Sequence, residues 1–182
     1  MKYILSLLML TYTAIGLAQK EGQRFCGPYD SESYFPLDIE KKKLLWSDTY
    51  YFEEQTGTKT LDGMVYKEYV QSWKDGTKDT LYLRESKGVV YQYEACCDEE
   101  RLRFDPSLKV GDSWSSPDGG VKYTLVSYND ILKTPYCVYK NLMCIKADYG
   151  ELVFKFYYQK GYGYIGARGP EGELASCATP EW

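Results

Sequence analysis

The run DTLYLRESKGVVYQYEACCDEERLRF, Asp79–Phe104, decides the fold. Its apolar residues alternate with polar ones, as in Leu81 and Leu83 or Tyr91 and Tyr93. A period of two places successive side chains on opposite faces of an extended chain. Tyr and Val favour such half-buried strands, and Lys87-Gly88 interrupts the pattern where a tight turn is needed. The spacing predicts strands over 79–85, 89–94 and 101–105.

The same signal continues in both directions. VKYTLVSY and ELVFKFYYQ are short, aromatic-rich and largely alternating. Further strands are predicted over 44–53, 64–73, 121–129, 142–148 and 151–159. Turn pairs sit among them at Asp62-Gly63, Asp75-Gly76, Gly119-Gly120 and Tyr149-Gly150. Asp-Gly tolerates the positive φ angles of primed hairpin turns. Strands joined by tight turns are antiparallel. One short helical turn within Pro36–Leu45 is the most helix the pattern allows, and no 20–50-residue repeat or Pro/Ser linker divides the chain. The expectation is an all-β fold, a single antiparallel meander that forms a curled half-barrel or barrel-like sheet stapled by disulfides.

MKYILSLLMLTYTAIGLAQ opens on Lys2, runs through an apolar segment and ends on small residues at Gly16 and Ala18. This is the pattern of a signal peptide over 1–18, with cleavage before Gln19 and a single β domain over 19–182. The apolar part is too short for a membrane span. Gln23-Arg24-Phe25 before Cys26 lacks the small residue that lipid attachment there requires. A periplasmic or secreted location is expected.

Of 182 residues, 164 remain after that cleavage, with 21 basic against 26 acidic side chains once Lys2 is gone. That length suits one domain with a real core. A mildly acidic chain lacks the clustered positive charge that nucleic acid needs. Lys41-Lys42-Lys43 reads as a solvated face.

An exported chain with six cysteines reads as a disulfide protein. Six cysteines allow 15 pairings. Cys137 and Cys144 would face one another if Lys140-Asn141 formed a two-residue turn. Cys26 and Cys177 flank the ends of the fold, where a staple to another segment would limit fraying. Adjacent Cys96 and Cys97 either join each other or reach separate partners; neighbours on a strand point to opposite faces, which favours two bridges. Zinc and thiol-redox sites use Cys-x-x-Cys spacing, so neither is expected here.

The chain contains no histidine, which removes the commonest general base and any Ser-His-Asp triad. A carboxylate pair of the glycosidase kind remains conceivable, with Glu68, Glu94, Asp98, Glu99 and Glu100 as candidates, although none has a distinguishing context. Gly161-Tyr162-Gly163-Tyr164-Ile165-Gly166 opens no helix and cannot cradle phosphate. No catalytic residue, metal or cofactor is expected. The 20 tyrosines, Tyr66 and Tyr69 among them, read chiefly as packing, with a few free to line a groove for an apolar or sugar ligand.

Several segments look familiar in order: Tyr34-Phe35-Pro36-Leu37, Leu108-Lys109-Val110-Gly111-Asp112-Ser113-Trp114, Thr134-Pro135 with Tyr139, and Tyr157-Tyr158-Gln159-Lys160-Gly161-Tyr162-Gly163. Together they resemble exported envelope proteins of Gram-negative bacteria, the TapB-like or DUF3108-like domains. The resemblance implies an antiparallel half-barrel sheet akin to periplasmic lipoprotein carriers, and no known activity. Cys137 stands where that family has a turn glycine, Tyr162 and Tyr164 replace smaller residues, and Glu40–Lys43 is inserted before Trp46. Trp46 and Trp114 read as core anchors.

The functional expectation is an exported, non-enzymatic binding or structural module, holding an apolar or glycan ligand on a concave aromatic face. Its partner would be a lipid, a glycan or an envelope protein, with no nucleic acid and no membrane span, and the protein a monomer. The alternatives are a carboxylate-dependent polysaccharide hydrolase and a secreted inhibitor or neutralising protein.

Overall fold

The computed structural model describes Cys26 and residues 31–180; the expected signal segment 1–18 and its expected cleavage point lie outside the described residues. Twelve strands follow in chain order: β1 (Lys41–Trp46), β2 (Thr49–Leu61), β3 (Met64–Trp73), β4 (Lys78–Ser86), β5 (Val89–Glu94), β6 (Glu99–Phe104), β7 (Ser113–Ser115), β8 (Lys122–Lys133), β9 (Val138–Asp148), β10 (Val153–Gln159), β11 (Gly163–Arg168) and β12 (Leu174–Ala178). They form one antiparallel sheet in the order β6-β5-β4-β3-β2-β1-β12-β11-β10-β9-β8-β7. The two halves of the chain are each a meander, joined where β1 pairs with β12 through Leu44↔Ala178 and Trp46↔Ser176. The sheet is nearly closed into a barrel.

The turns explain the meander. Asp62 (φ 47°) with Gly63 (φ 76°), and Lys87 (φ 55°) with Gly88 (φ 82°), supply the paired left-handed residues of primed hairpins. Ser47 (φ 51°) makes a further turn, which splits the predicted strand 44–53 into β1 and β2. The segment expected to hold a helical turn, Pro36–Leu45, instead runs into β1, because pairing to both β2 and β12 fixes it as extended chain. Strands β7, β11 and β12 fall outside the strands expected from the sequence.

Closure is made by side chains. The end strands β6 and β7 meet where the Trp114 indole Nε1–H donates to the Leu102 carbonyl at 3.0 Å, and Arg101 Nη1 donates to the Tyr123 hydroxyl of β8 at 2.8 Å. A barrel of about eight strands is just filled by its own side chains, so a wider one leaves room to spare. Residues 31–39 enter that room. Phe35 packs on Tyr158 (4.5 Å) and Phe104 (5.5 Å), and Tyr34 on Tyr128 (5.6 Å). The segment is pinned by Gly161 N–H donating to Ser33 O (2.8 Å) and the Tyr69 hydroxyl donating to Leu37 O (2.8 Å). Tyr34, Phe35, Val90, Phe104, Leu125, Met143, Ile145 and Tyr158 form the inner core.

A second core lies on the outer face. The β8–β9 hairpin bends at irregularities between Leu125 and Leu132 and turns through Thr134–Cys137. Thr134 Oγ1 accepts the Cys137 N–H at 3.1 Å, so the Thr134-Pro135 motif is a turn device. Leu132, Tyr139, Cys144, Tyr157 and Ile165 pack together there. Gly166 makes that approach possible: a Cβ on it would lie 2.3 Å from the Ser176 carbonyl oxygen and 3.1 Å from Leu132 Cδ2.

Cys26 is disulfide-bonded to Cys137 across a sequence separation of 111, with Cα atoms 5.7 Å apart. Cys26 thus staples a distant segment, as its position suggested. The Cys137–Cys144 pairing is overturned. Lys140-Asn141 lies inside β9 rather than in a turn, so extended chain carries Cys144 away from Cys137. Cys96, Cys97, Cys144 and Cys177 are free. Cys144 and Cys177 share a row through Tyr157 and Gly166, and the two intervening strands hold them beyond disulfide reach. Cys96 and Cys97 lie at the tip of the β5–β6 hairpin and bridge to nothing.

Candidate functional site

Inside the curl lies a cavity of about 230 Å³. Its position follows from strand parity. Tyr51 and Glu53 of β2, Tyr69 and Gln71 of β3, Leu81 and Leu83 of β4, and Arg101 of β6 all point inward from one half of the sheet. Ile145, Phe156, Tyr158 and Tyr164 do so from the other half, and Phe35, Leu37 and Ile39 of the entering segment form part of the wall. Trp46 and Trp114, expected as core anchors, are half-buried and belong to this wall as well.

Three cations, Lys42, Arg101 and Arg103, face a lining of aromatic and aliphatic side chains that also holds Glu53 and Gln71. Lys42 is 8 % exposed and lies opposite Glu53 in the β1–β2 register, with its ammonium 4.9 Å from the Tyr162 ring. Burial lowers its pKa, and Glu53 and Asp38 partly offset that. Arg101 pairs with Glu94 at 2.8 Å, and burial followed by repulsion from Arg103 lowers its pKa. Arg103 has no ion pair among the described residues, and its buried Nε finds no acceptor. Burial works against its charge, while the surrounding field of Tyr158, Tyr123, Glu53 and Glu94 more than offsets this. The exposure Arg103 keeps opens onto the cavity that it lines.

Glu53 is the one carboxylate among the lining residues, and it accepts a hydrogen bond from Gln71 Nε2 at 2.8 Å. The carboxylates singled out in the sequence are dispersed. Glu100 is engaged by Arg84 and by the Tyr66 hydroxyl (2.6 Å), Glu68 accepts from Thr56 (2.9 Å), and Asp98 accepts from Tyr93 (3.0 Å). Glu99 is exposed. Only Glu94 turns inward, where it holds Arg101 and accepts from Gln92 Nε2 at 3.0 Å. Among the described residues, no group of three or more acidic or thiol side chains is placed to hold a metal ion.

The motif residues divide between the two faces. Tyr34, Phe35, Pro36, Leu37, Trp114, Tyr158 and Gly163 surround or approach the cavity, while Tyr139 and Tyr157 belong to the outer core, with Thr134 buried in the adjoining turn and Pro135 exposed there. Gly111 (φ 99°) turns the chain toward β7, and Gly161 (φ 74°) and Gly163 (φ 83°) shape the β10–β11 turn. A Cβ on Gly163 would sit 3.1 Å from Lys42 Nζ. Tyrosine splits in the same way: Tyr69 faces the cavity while Tyr66, earlier on the same strand, packs outside on Tyr93.

Arg101 and Arg103 escaped the reading of the sequence. The triplet Arg101-Leu102-Arg103 looks like a strand with its charges in water. Only the register Gln92↔Arg101, which ties it to a buried partner, reveals the opposite orientation.

Two of the free thiols, Cys144 and Cys97, are poor nucleophiles at neutral pH. Cys144 is pushed up to about 12 by burial and by Asp130, and Cys97 to about 11 by hydrogen bonding with Cys96. Among the described residues, no helix is long and apolar enough to cross a membrane. Comparison with family models, curated proteins and solved structures gives no match for this chain.

Proposed function

We propose that the protein is an exported, non-enzymatic binding module that holds a small apolar ligand within its barrel. The observation that carries this reading is the aromatic-walled cavity between the two halves of the sheet. Ligand sites combine apolar walls with a few placed polar groups, and the chain supplies both. A glycan would need many hydroxyl partners, whereas Phe35, Leu81, Ile145 and Phe156 offer apolar surface instead. Sugar hydrolysis calls for two carboxyl groups about 5 to 9 Å apart in one cleft. The lining carries Glu53 alone, so the polysaccharide-hydrolase reading has less support. The resemblance to envelope proteins is in keeping with an exported carrier.

Native mass spectrometry of the protein purified from its own host tests the reading. A small molecule released on denaturation, and lost from an Ile145→Trp variant that fills the cavity, is the expected result. Protein that carries nothing, and that takes up neither a neutral nor a charged eight-carbon probe, would overturn it.

A further inference from the structure

A buried guanidinium needs a partner. Removing a charge from water is costly unless pairing and hydrogen bonds compensate. The cavity wall carries Lys42, Arg101 and Arg103 against Glu53, with Glu94 just behind Arg101. Glu94 answers Arg101, and Glu53 lies across from Lys42. Arg103 feels the field of both carboxylates but has no ion pair of its own among the described residues.

The geometry around Arg103 shows what it can still accept. The Phe35 ring centroid lies 5.9 Å from the guanidinium carbon. Such a cation–π contact uses no N–H donor and so does not consume the hydrogen-bonding capacity of the guanidinium. Its Nε–H is buried without an acceptor, so the terminal nitrogens are the donors that a ligand in the cavity can meet. Arg101, the other arginine of the same strand, is already engaged, through Nη1 on the Tyr123 hydroxyl and Nη2 on Glu94. The terminal Nη1 and Nη2 of Arg103 have no hydrogen bond or ion pair among the described residues, and a guanidinium end of this kind suits a planar anion with two oxygens, which arginine binds bidentately.

The rest of the wall sets the remainder of the ligand. Tyr51, Ile145, Phe156 and Tyr158 have no charge to offer. The cavity is small beside ligand pockets of about 300 to 1,000 Å³, so a short chain suits it. We infer that the ligand is a small anionic amphiphile whose carboxylate pairs with Arg103 and whose short apolar chain lies along the aromatic wall. This rests on the binding reading above and adds the charge and the size of the ligand.

Calorimetric titration with octanoate, 1-octanol and octylamine tests it on the full mature protein. The expected result is that octanoate binds at least about tenfold more tightly than octanol, since a hydrogen bond to a charged group is worth that much. Octylamine should be weaker still. Arg103→Met should remove the advantage of octanoate over octanol while leaving octanol binding in place, and Arg103→Lys should restore part of it. The octanol measurement also reports whether each variant still forms the cavity. Equal binding of octanoate and octanol to the parent protein would overturn the anionic inference while leaving the binding reading intact. So would an octanoate preference that survives in Arg103→Met. No binding of any of the three would overturn both.

Discussion

The indole Nε1–H of Trp114 on β7 donates to the Leu102 carbonyl on β6 at 3.0 Å, which joins the two ends of a twelve-stranded sheet. A full ladder of backbone hydrogen bonds does not run along this seam. Trp114 also stacks on Tyr123 (5.7 Å), whose hydroxyl receives Arg101 Nη1 (2.8 Å). Closure of the barrel and placement of the cavity's arginines therefore share a few side chains.

Trp114→Phe keeps an aromatic ring and removes the donor. The Leu102 carbonyl then loses a partner, at a cost of about 1 kcal/mol. Urea unfolding should show the midpoint falling with little change in slope. A variant as stable as the parent would mean that the seam is held by packing alone.

The cysteine chemistry can be counted. In denaturant without reductant, four thiols should react, from Cys96, Cys97, Cys144 and Cys177. In the folded protein Cys96 and Cys97 should react first, because Cys144 and Cys177 are buried. A count of zero would restore the fully bridged scheme that export suggests. Reducing Cys26–Cys137 releases the long loop that it closes and lets the unfolded chain regain its freedom. For a loop of that order the loss is about 4 to 5 kcal/mol, which urea unfolding with and without reductant should register.

Alkaline pH should unfold the protein. Burial raises the pKa of Tyr51 and Tyr158 above the ordinary value of 10.0. Between the ordinary and the raised value, the folded state keeps protons that the unfolded state has released, so stability falls as pH rises. Each such tyrosine removes about 1.4 kcal/mol per pH unit. Lys42 acts the other way, since its lowered pKa makes folding more favourable as pH approaches 10.5, and beyond that value its effect is constant. The tyrosines therefore dominate above about pH 10.5. Tyrosinate absorbance should rise cooperatively with loss of near-ultraviolet dichroism; gradual ionisation of every tyrosine in a folded protein would contradict the burial pattern.

The parts of this fold that were legible in the sequence have local causes. β3, β4 and β5 follow from alternation and from Asp62-Gly63 and Lys87-Gly88, whose conformations are set within the turn itself. GYIGAR and LASCA, the cores of β11 and β12, carry glycine and alanine, which have little strand preference of their own. Their neighbours impose the conformation, and Gly166 is small because Leu132 and Ser176 occupy its surroundings. The Cys26–Cys137 link joins segments that only the folded-back β8–β9 hairpin brings together. The cavity was legible only as an excess of aromatics. Its charged residues were hidden, because which face of β6 turns inward depends on pairing with β5 and on closure at Trp114.

The most direct test of the account is where an eight-carbon chain sits. Intermolecular NOEs should be measured between octanoate and the isotope-labelled protein. The account predicts contacts from the chain to Ile145, Phe156 and Tyr158 inside the barrel, and from the carbon next to the carboxylate to Arg103. Contacts instead to Ile131, Tyr136 and Val138, which are exposed on the β8–β9 hairpin, would place the ligand outside and contradict it.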